Sequence, residues 1–307
     1  MAPTPVSRTV RTVLDDLVFG EGPRWHDGEL WFSDMHDHRV VRTTVDCLAV
    51  EGGAVDGGAT TVVEITDDEP SGLGWLPDGR LLVVAMETQR LLRVEPDGMV
   101  VVHADLSAAA RGSLNDMIVA ADGTAYVGDM GVRIHELGAE RRAGQTFRVT
   151  PDGAWSCAAD DLQSPNGHIL TADGRTLIVA ESGGMRLTAF AVAADGTLSG
   201  RRTYAELHPE KDGVPVAPPD GICLDAEGAV WVADPIGARV FRVREGGEVT
   251  DSIAFTDVIP VACVLGGSDR RTLLMCVAAD WKRDVITQMR SGRIDACRVD
   301  VPGAGSP

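Results

Sequence analysis

The sequence predicts an all-β fold, a six-bladed β-propeller with a metal site at one mouth of its central channel. Three observations carry this. Short turns recur at Asp27-Gly28, Asp78-Gly79, Asp122-Gly123, Asp173-Gly174 and Glu227-Gly228, with Ser268-Asp269-Arg270 as a degenerate sixth, and successive spacings are 51, 44, 51, 54 and 42 residues. Each turn separates two apolar runs, as in GLGW and RLLVVAM or ICL and AVWVAD, and Asp-Gly between such runs is a strong hairpin signal because Gly accepts positive φ. The chain has 35 glycines and 16 prolines with no low-complexity tract, and helical periodicity is weak even in AELHPEKDG.

A third strand follows in each unit: RVVRTTV, RLLRVEP, QTFRVTP, RLTAFAV, RVFRVRE and VITQMRS. A repeat of roughly 40–50 residues holding three or four strands is how a propeller blade is written. The expected organisation is one domain over 1–307, with blades at about 20–65, 70–110, 114–160, 165–212, 219–257 and 260–300. Residues 8–18 are placed to add a strand to the last blade and close the ring, removing exposed edges. Two β-sandwiches are the rival architecture, but they give no reason for a shared blade pattern.

The first strand of a propeller blade lines the channel, so equivalent letters of different blades converge. Those letters are Glu21 (GEGPRW), Ser71 (EPSGLGW), Asn115 (SLNDMIV), Asn166 (SPNGHIL), Asp220 (PPDGICL) and a neutral position near Ala262. Two carboxylates, two carboxamides and a hydroxyl form an all-oxygen ring that suits a hard divalent cation. Ca²⁺ comes first because it tolerates six to eight irregular oxygens, with Mg²⁺, Mn²⁺ or Zn²⁺ as alternatives.

The second strands return to the same mouth and end in acids, Asp34, Glu87, Asp129, Glu181, Asp234 and Asp280, read as outer supports or surface acids. Residues 131–145 form the longest loop there, with Arg133, His135, Glu136, Arg141 and Arg142, and suit a lid or an anion-binding rim. His36 reaches the mouth as a substrate contact. His168, two residues after Asn166, faces the channel as a structural residue first and a proton shuttle or substrate contact second.

The net charge of −18 excludes the basic surface that nucleic acid or an anionic membrane requires. No run approaches the roughly 20 apolar residues of a membrane helix. Six scattered cysteines without a C-x-x-C pair point to buried thiols in a reducing cytoplasm. No G-x-S-x-G nucleophile motif or Gly-rich phosphate loop is present. The expected partner is a small-molecule substrate.

In combination, GEGPRW at 20–25, ND at 115–116, PNG at 165–167 and PDGICLDAEGAVWVAD at 219–234 resemble the SMP-30/gluconolactonase/luciferin-regenerating-enzyme family over roughly 12–295. The resemblance implies a six-bladed propeller with one catalytic divalent metal. It implies Glu21, Asn166 and Asp220 as metal ligands, Asn115 as fourth ligand or substrate contact, and Asp116 as a residue that orients the site. The gluconolactonase branch has Arg where this chain has Ser113, and an acid near Arg133. Both positions handle sugar hydroxyls in that branch, so the expected substrate is a lactone other than gluconolactone.

The expected activity is metal-dependent hydrolysis, in which the cation polarises a lactone carbonyl. Asp220 is the expected base, Asn115 positions substrate, with Ser71, Ser113, Arg133, His36 and His168 around it, and Asp116 or a top-face acid is the alternative base. Two other readings are phosphotriester or ester hydrolysis at the same metal, and a non-catalytic calcium-stabilised binding propeller.

Overall fold

A computed structural model describes residues 8–45, 58–207 and 217–305. Its strands form six four-stranded antiparallel sheets. The innermost strands are Gly20–His26, Pro70–Trp75, Leu114–Val119, Pro165–Leu170, Ile222–Leu224 and Ile259–Gly266. Each touches the innermost strand of the next blade, and the last touches the first, so the sheets stand in a closed ring. The sixth sheet takes its outermost strand, Arg11–Leu17, from the other end of the chain, pairing with Gly292–Arg298. Closure in this way joins the first and last blades through backbone hydrogen bonds and leaves no gap in the ring.

Local chemistry explains the strands. Second strands such as Leu81–Ala85 and Val230–Asp234 are buried at every residue because each sheet packs against a blade on both faces. Fourth strands such as Trp155–Leu162 and Leu198–Glu206 are mostly exposed and polar, as outer edges should be. The turns opposite the mouth form as expected: Gly79, Gly123, Gly174 and Gly228 have φ between 66° and 87°, and Arg270 takes the corresponding position at 57°. Apolar side chains between blades, including Phe32, Leu82, Phe147, Trp231 and Leu274, make the core.

One expected strand is something else. VITQMRS was assigned to the sixth blade as its third strand, but Arg283–Met289 is a short helix and the strand is Gly292–Arg298. The helix buries Ile286 alone and ends on Arg290 in the left-handed region, which turns the chain into the strand. Of AELHPEKDG, Ala205 and Glu206 close a strand, while 208–216 lie outside the described residues, as does Cys47.

Candidate metal centre and active site

The innermost strands share a backbone irregularity at the mouth. Pairing with the second strand breaks register between Glu21 and Arg24, Pro70 and Leu73, Leu114 and Met117, and Pro165 and His168. Such bulges take a residue out of the ladder and re-aim its side chain. Here they release Glu21, Ser71, Asn115 and Asn166 toward the axis. Asp220 lies just before the short fifth inner strand and is likewise free of it.

The glycine after these letters has a steric cause. A Cβ on Gly72 would lie 2.5 Å from the Met117 nitrogen, and one on Gly167 would lie 2.8 Å from the Asp220 carbonyl oxygen. Adjacent inner strands therefore approach too closely for any side chain at those points. The third blade breaks the pattern with Asp116, whose carboxylate enters the channel beneath the ring.

The ring side chains are joined in a chain of hydrogen bonds. Ser71 Oγ donates to Asn115 Oδ1 at 2.8 Å, Asn115 Nδ2 donates to Asn166 Oδ1 at 3.0 Å, and Asn166 Nδ2 donates to Asp220 Oδ1. Glu21 joins them electrostatically. Burial, then the charges of Asp220 and Asp116, push its carboxyl well above the usual range. Burial pushes Asp220 up to about 7 despite the hydrogen bond from Asn166, and the Asp116 charge adds to the rise. Among the described residues no ion pair joins Glu21 or Asp220 to a basic side chain, whereas Asp116 has Arg24 at 2.7 Å. Two mutually repelling carboxyls beside two carboxamide oxygens, with no protein counter-charge of their own, are chemically suited to a hard cation.

Asp116 is fully committed. Besides Arg24, it accepts from the Met117 amide at 2.8 Å and the His168 amide at 3.2 Å. Arg24 is also bound to the Met117, Leu73 and Pro23 carbonyls, so this buried pair ties four inner strands together under the ring. These contacts hold the Asp116 carboxylate in place beneath the ring, which gives it a positioning role there.

A cavity of about 580 Å³ opens over Asn166 and Asp220, walled by Arg133, Arg141 and Trp281. Of the expected substrate contacts Arg133 lines it, while Asn115 and Ser71 do not and connect to it only through the hydrogen bonds that lead to Asn166. Three others do not line it either. Ser113 is fully buried and donates to Glu87 Oε1 at 2.7 Å. His168 is fully enclosed, with Nε2 3.1 Å from Thr146 Oγ1 and Nδ1 on the Asn166 carbonyl, so it is a channel residue with no nitrogen left for substrate. His36 is buried against Glu69. Arg133 donates to the Glu87 carbonyl at 2.7 Å, so a cation stands beside the Ser113–Glu87 pair from the loop side.

The acids ending the second strands have a structural function that repeats. Asp34 accepts from the Val18 and Phe19 amides and pairs with Arg39, Glu181 accepts from the Gln163 amide and pairs with Arg186, and Asp234 accepts from the Gly237 amide and pairs with Arg239. All three are fully buried. An acid followed five residues later by Arg closes the top of these blades, with each carboxylate held by backbone amides and that Arg.

Sequence reasoning passed over Glu69. Its carboxylate lies between two histidines, 3.2 Å from His36 Nδ1 and 2.7 Å from His135 Nε2, with Arg283 Nε at 3.0 Å. Burial opposes its ionisation, but the contacts to His135 and His36 outweigh it and hold the carboxyl well below its usual range. An acid directly before PSG, with histidines in two loops of the same face, was the available signal.

A propeller with a carboxylate and carboxamide ring at one mouth defines a class, and the comparisons agree. The SMP-30/Gluconolactonase/LRE-like region matches residues 19–279, and the chain belongs to that family. It is 27% identical over 292 residues to regucalcin from Xenopus laevis, covering 92% of this chain and 91% of the relative. It is 24% identical over 283 residues to gluconolactonase from Zymomonas mobilis, covering 88% and 79%. The solved structure of a calcium-binding protein, regucalcin, from Agrobacterium tumefaciens superposes with a TM-score of 0.76 at 21% identity, covering 100% of this chain and 98% of that one. Five of the cysteines are free thiols, with Cys223 and Cys263 Sγ atoms 3.7 Å apart and unbonded. Among the described residues no helix is long and apolar enough to cross a membrane.

Proposed function

We propose that the protein is a divalent-metal-dependent lactonase, with Ca²⁺ as its first-choice ion and Glu21, Asn115, Asn166 and Asp220 as the residues that hold it. The observation that carries this reading is the hydrogen-bonded chain of ring oxygens whose Asn166 and Asp220 line a cavity of about 580 Å³, a size that suits a small-molecule ligand. Lactonase names among the relatives support the reaction type. A bound cation would supply a Lewis acid for the lactone carbonyl.

The chain's own residues do the rest. Asp220 has one oxygen on Asn166 and lines the cavity, so its other oxygen can take a proton from a water beside the carbonyl carbon. Ser71 fixes the Asn115 amide and so the orientation of a substrate resting on it. Asp116 and Arg24 hold the strands that carry the ring. Arg133 and Arg141 present positive charge at the wall, and Trp281 an apolar surface, which fits a lactone with a polar or anionic substituent. Water adds across the acyl C–O bond, leaving a hydroxy acid that releases a proton at neutral pH.

The test uses that proton. Metal content and pH-indicator rates on a panel of lactones, aryl esters and phosphotriesters are measured for the natural protein, Glu21→Gln and Asp220→Ala. Lactone turnover and bound metal should be lost together in both variants. Turnover confined to phosphotriesters, or none despite full metal occupancy, would overturn the lactonase reading.

A further inference from the structure

We propose that His36, Glu69 and His135 form a second metal site, for a divalent transition ion such as Zn²⁺, separate from the oxygen ring and independent of the lactonase reading. The three come from different blades: His36 follows the second strand of blade one, Glu69 precedes the first strand of blade two, and His135 lies in the long third-blade loop. Their candidate donor atoms lie within 4.8 Å of one another. The side chains of His36 and Glu69 are 1% and 2% exposed, and that of His135 is 15%.

The donor set differs in kind from the ring. Two imidazoles and one carboxylate, with room for a water, are the ligands of an open zinc site, whereas Ca²⁺ seeks oxygens only. Geometry agrees. Zn–N bonds of about 2.0 Å in a tetrahedral site put the centroids of two ligating imidazoles ~5.2 Å apart. Those of His36 and His135 are 5.3 Å apart, with planes at 70°. Donors of a tetrahedral zinc lie ~3.4 Å apart, so closure needs movement of about an ångström, concentrated in the loop bearing His135.

A second observation concerns the alignment of this pair. Glu69 Oε2 and His135 Nε2 are completely buried and face each other as an ion pair at 2.7 Å, but not in hydrogen-bond geometry. Buried polar atoms without an aligned hydrogen bond are uncommon, and an ion between the two would satisfy both. Arg283 supplies only part of the counter-charge, through Glu69 Oε1 from a side chain 45% exposed, and can withdraw to solvent when an ion arrives. Bound metal would fasten the third-blade loop to blades one and two. Since Arg133, Ile134 and Glu136 of that loop wall the large cavity, the ion would fix its shape.

The experiment starts from chelator-stripped protein in excess Ca²⁺, to occupy the oxygen ring, and titrates Co²⁺ while reading visible absorption and bound cobalt. The natural protein and Asp220→Asn should each take up one equivalent with the absorption of imidazole-ligated Co²⁺, and Zn²⁺ should displace it. His36→Ala and His135→Ala should lose that equivalent, with unchanged circular dichroism excluding misfolding. Hydrogen exchange in residues 130–143 should slow on Zn²⁺ addition to the natural protein only. No uptake by the natural protein, meaning a His–Glu ion pair only, would overturn the proposal. So would undiminished uptake by His135→Ala, or loss of uptake in Asp220→Asn.

Discussion

Replacing Asp220 by Asn should stabilise the metal-free protein, by an amount that depends on pH. In the ring the Asp220 carboxyl is lifted from the usual 3.8 to about 7, chiefly by burial. Below about pH 3 it is protonated in both folded and unfolded chains and costs nothing. As pH rises through 3.8 the unfolded chain releases its proton while the folded chain keeps it, so stability falls. Above about 7 both forms are ionised and the whole penalty is present. The gap between 3.8 and about 7 corresponds to ~4 kcal/mol, a ceiling because the cavity is partly open to water. Asn keeps the hydrogen bond from Asn166 and carries no charge. Urea unfolding in chelator at pH 4.5, 6 and 8 should therefore show the variant drawing ahead of the natural protein by a margin that grows from about 1 kcal/mol toward that ceiling. Saturating Ca²⁺ should reverse the order, because only the natural ring holds the ion. A margin that does not change with pH would refute the electrostatic account of the ring.

Other consequences are as direct. Ca²⁺ at a hundred times its Kd should stabilise the natural protein by about 2.7 kcal/mol, seen as a rise in Tm that Glu21→Gln abolishes. Gly72→Ala puts a methyl 2.5 Å from the Met117 nitrogen and should cost about 1–3 kcal/mol of stability in urea titrations, weakening Ca²⁺ binding by spreading the inner strands. Arg24→Ala leaves Asp116 charged and unpaired and should cost about 3–5 kcal/mol, and adding Asp116→Asn should recover part of it.

Local signals made the blades legible. Each turn needs only a few residues to be recognised, and the inner strands carry a polar letter at the same place in the motif, which is how Ser71, Asn115, Asn166 and Asp220 can be grouped without knowing the hydrogen bonds that join them. What stayed hidden depends on long-range packing. VITQMRS reads as a strand because its apolar residues are few, and its helical state is set by Ile286 entering the core and Arg290 ending the turn. Asp116 looks like a catalytic acid beside Asn115, until Arg24 from two blades away takes its charge. The acids of the second strands look alike in sequence whether they face solvent or cap a turn, and only the Arg five positions on hinted at the latter. Glu69 has no motif, and its partners come from three other blades.

On the proposed function, four residues distant in sequence hold one hard ion on which lactone opening depends. Stepwise addition of Ca²⁺ to metal-free protein, with hydrolysis of a responsive lactone followed at each step, tests it most directly. The rate should climb from background in proportion to occupancy and level off at one ion per ring. Full hydrolysis before any ion is added would contradict it.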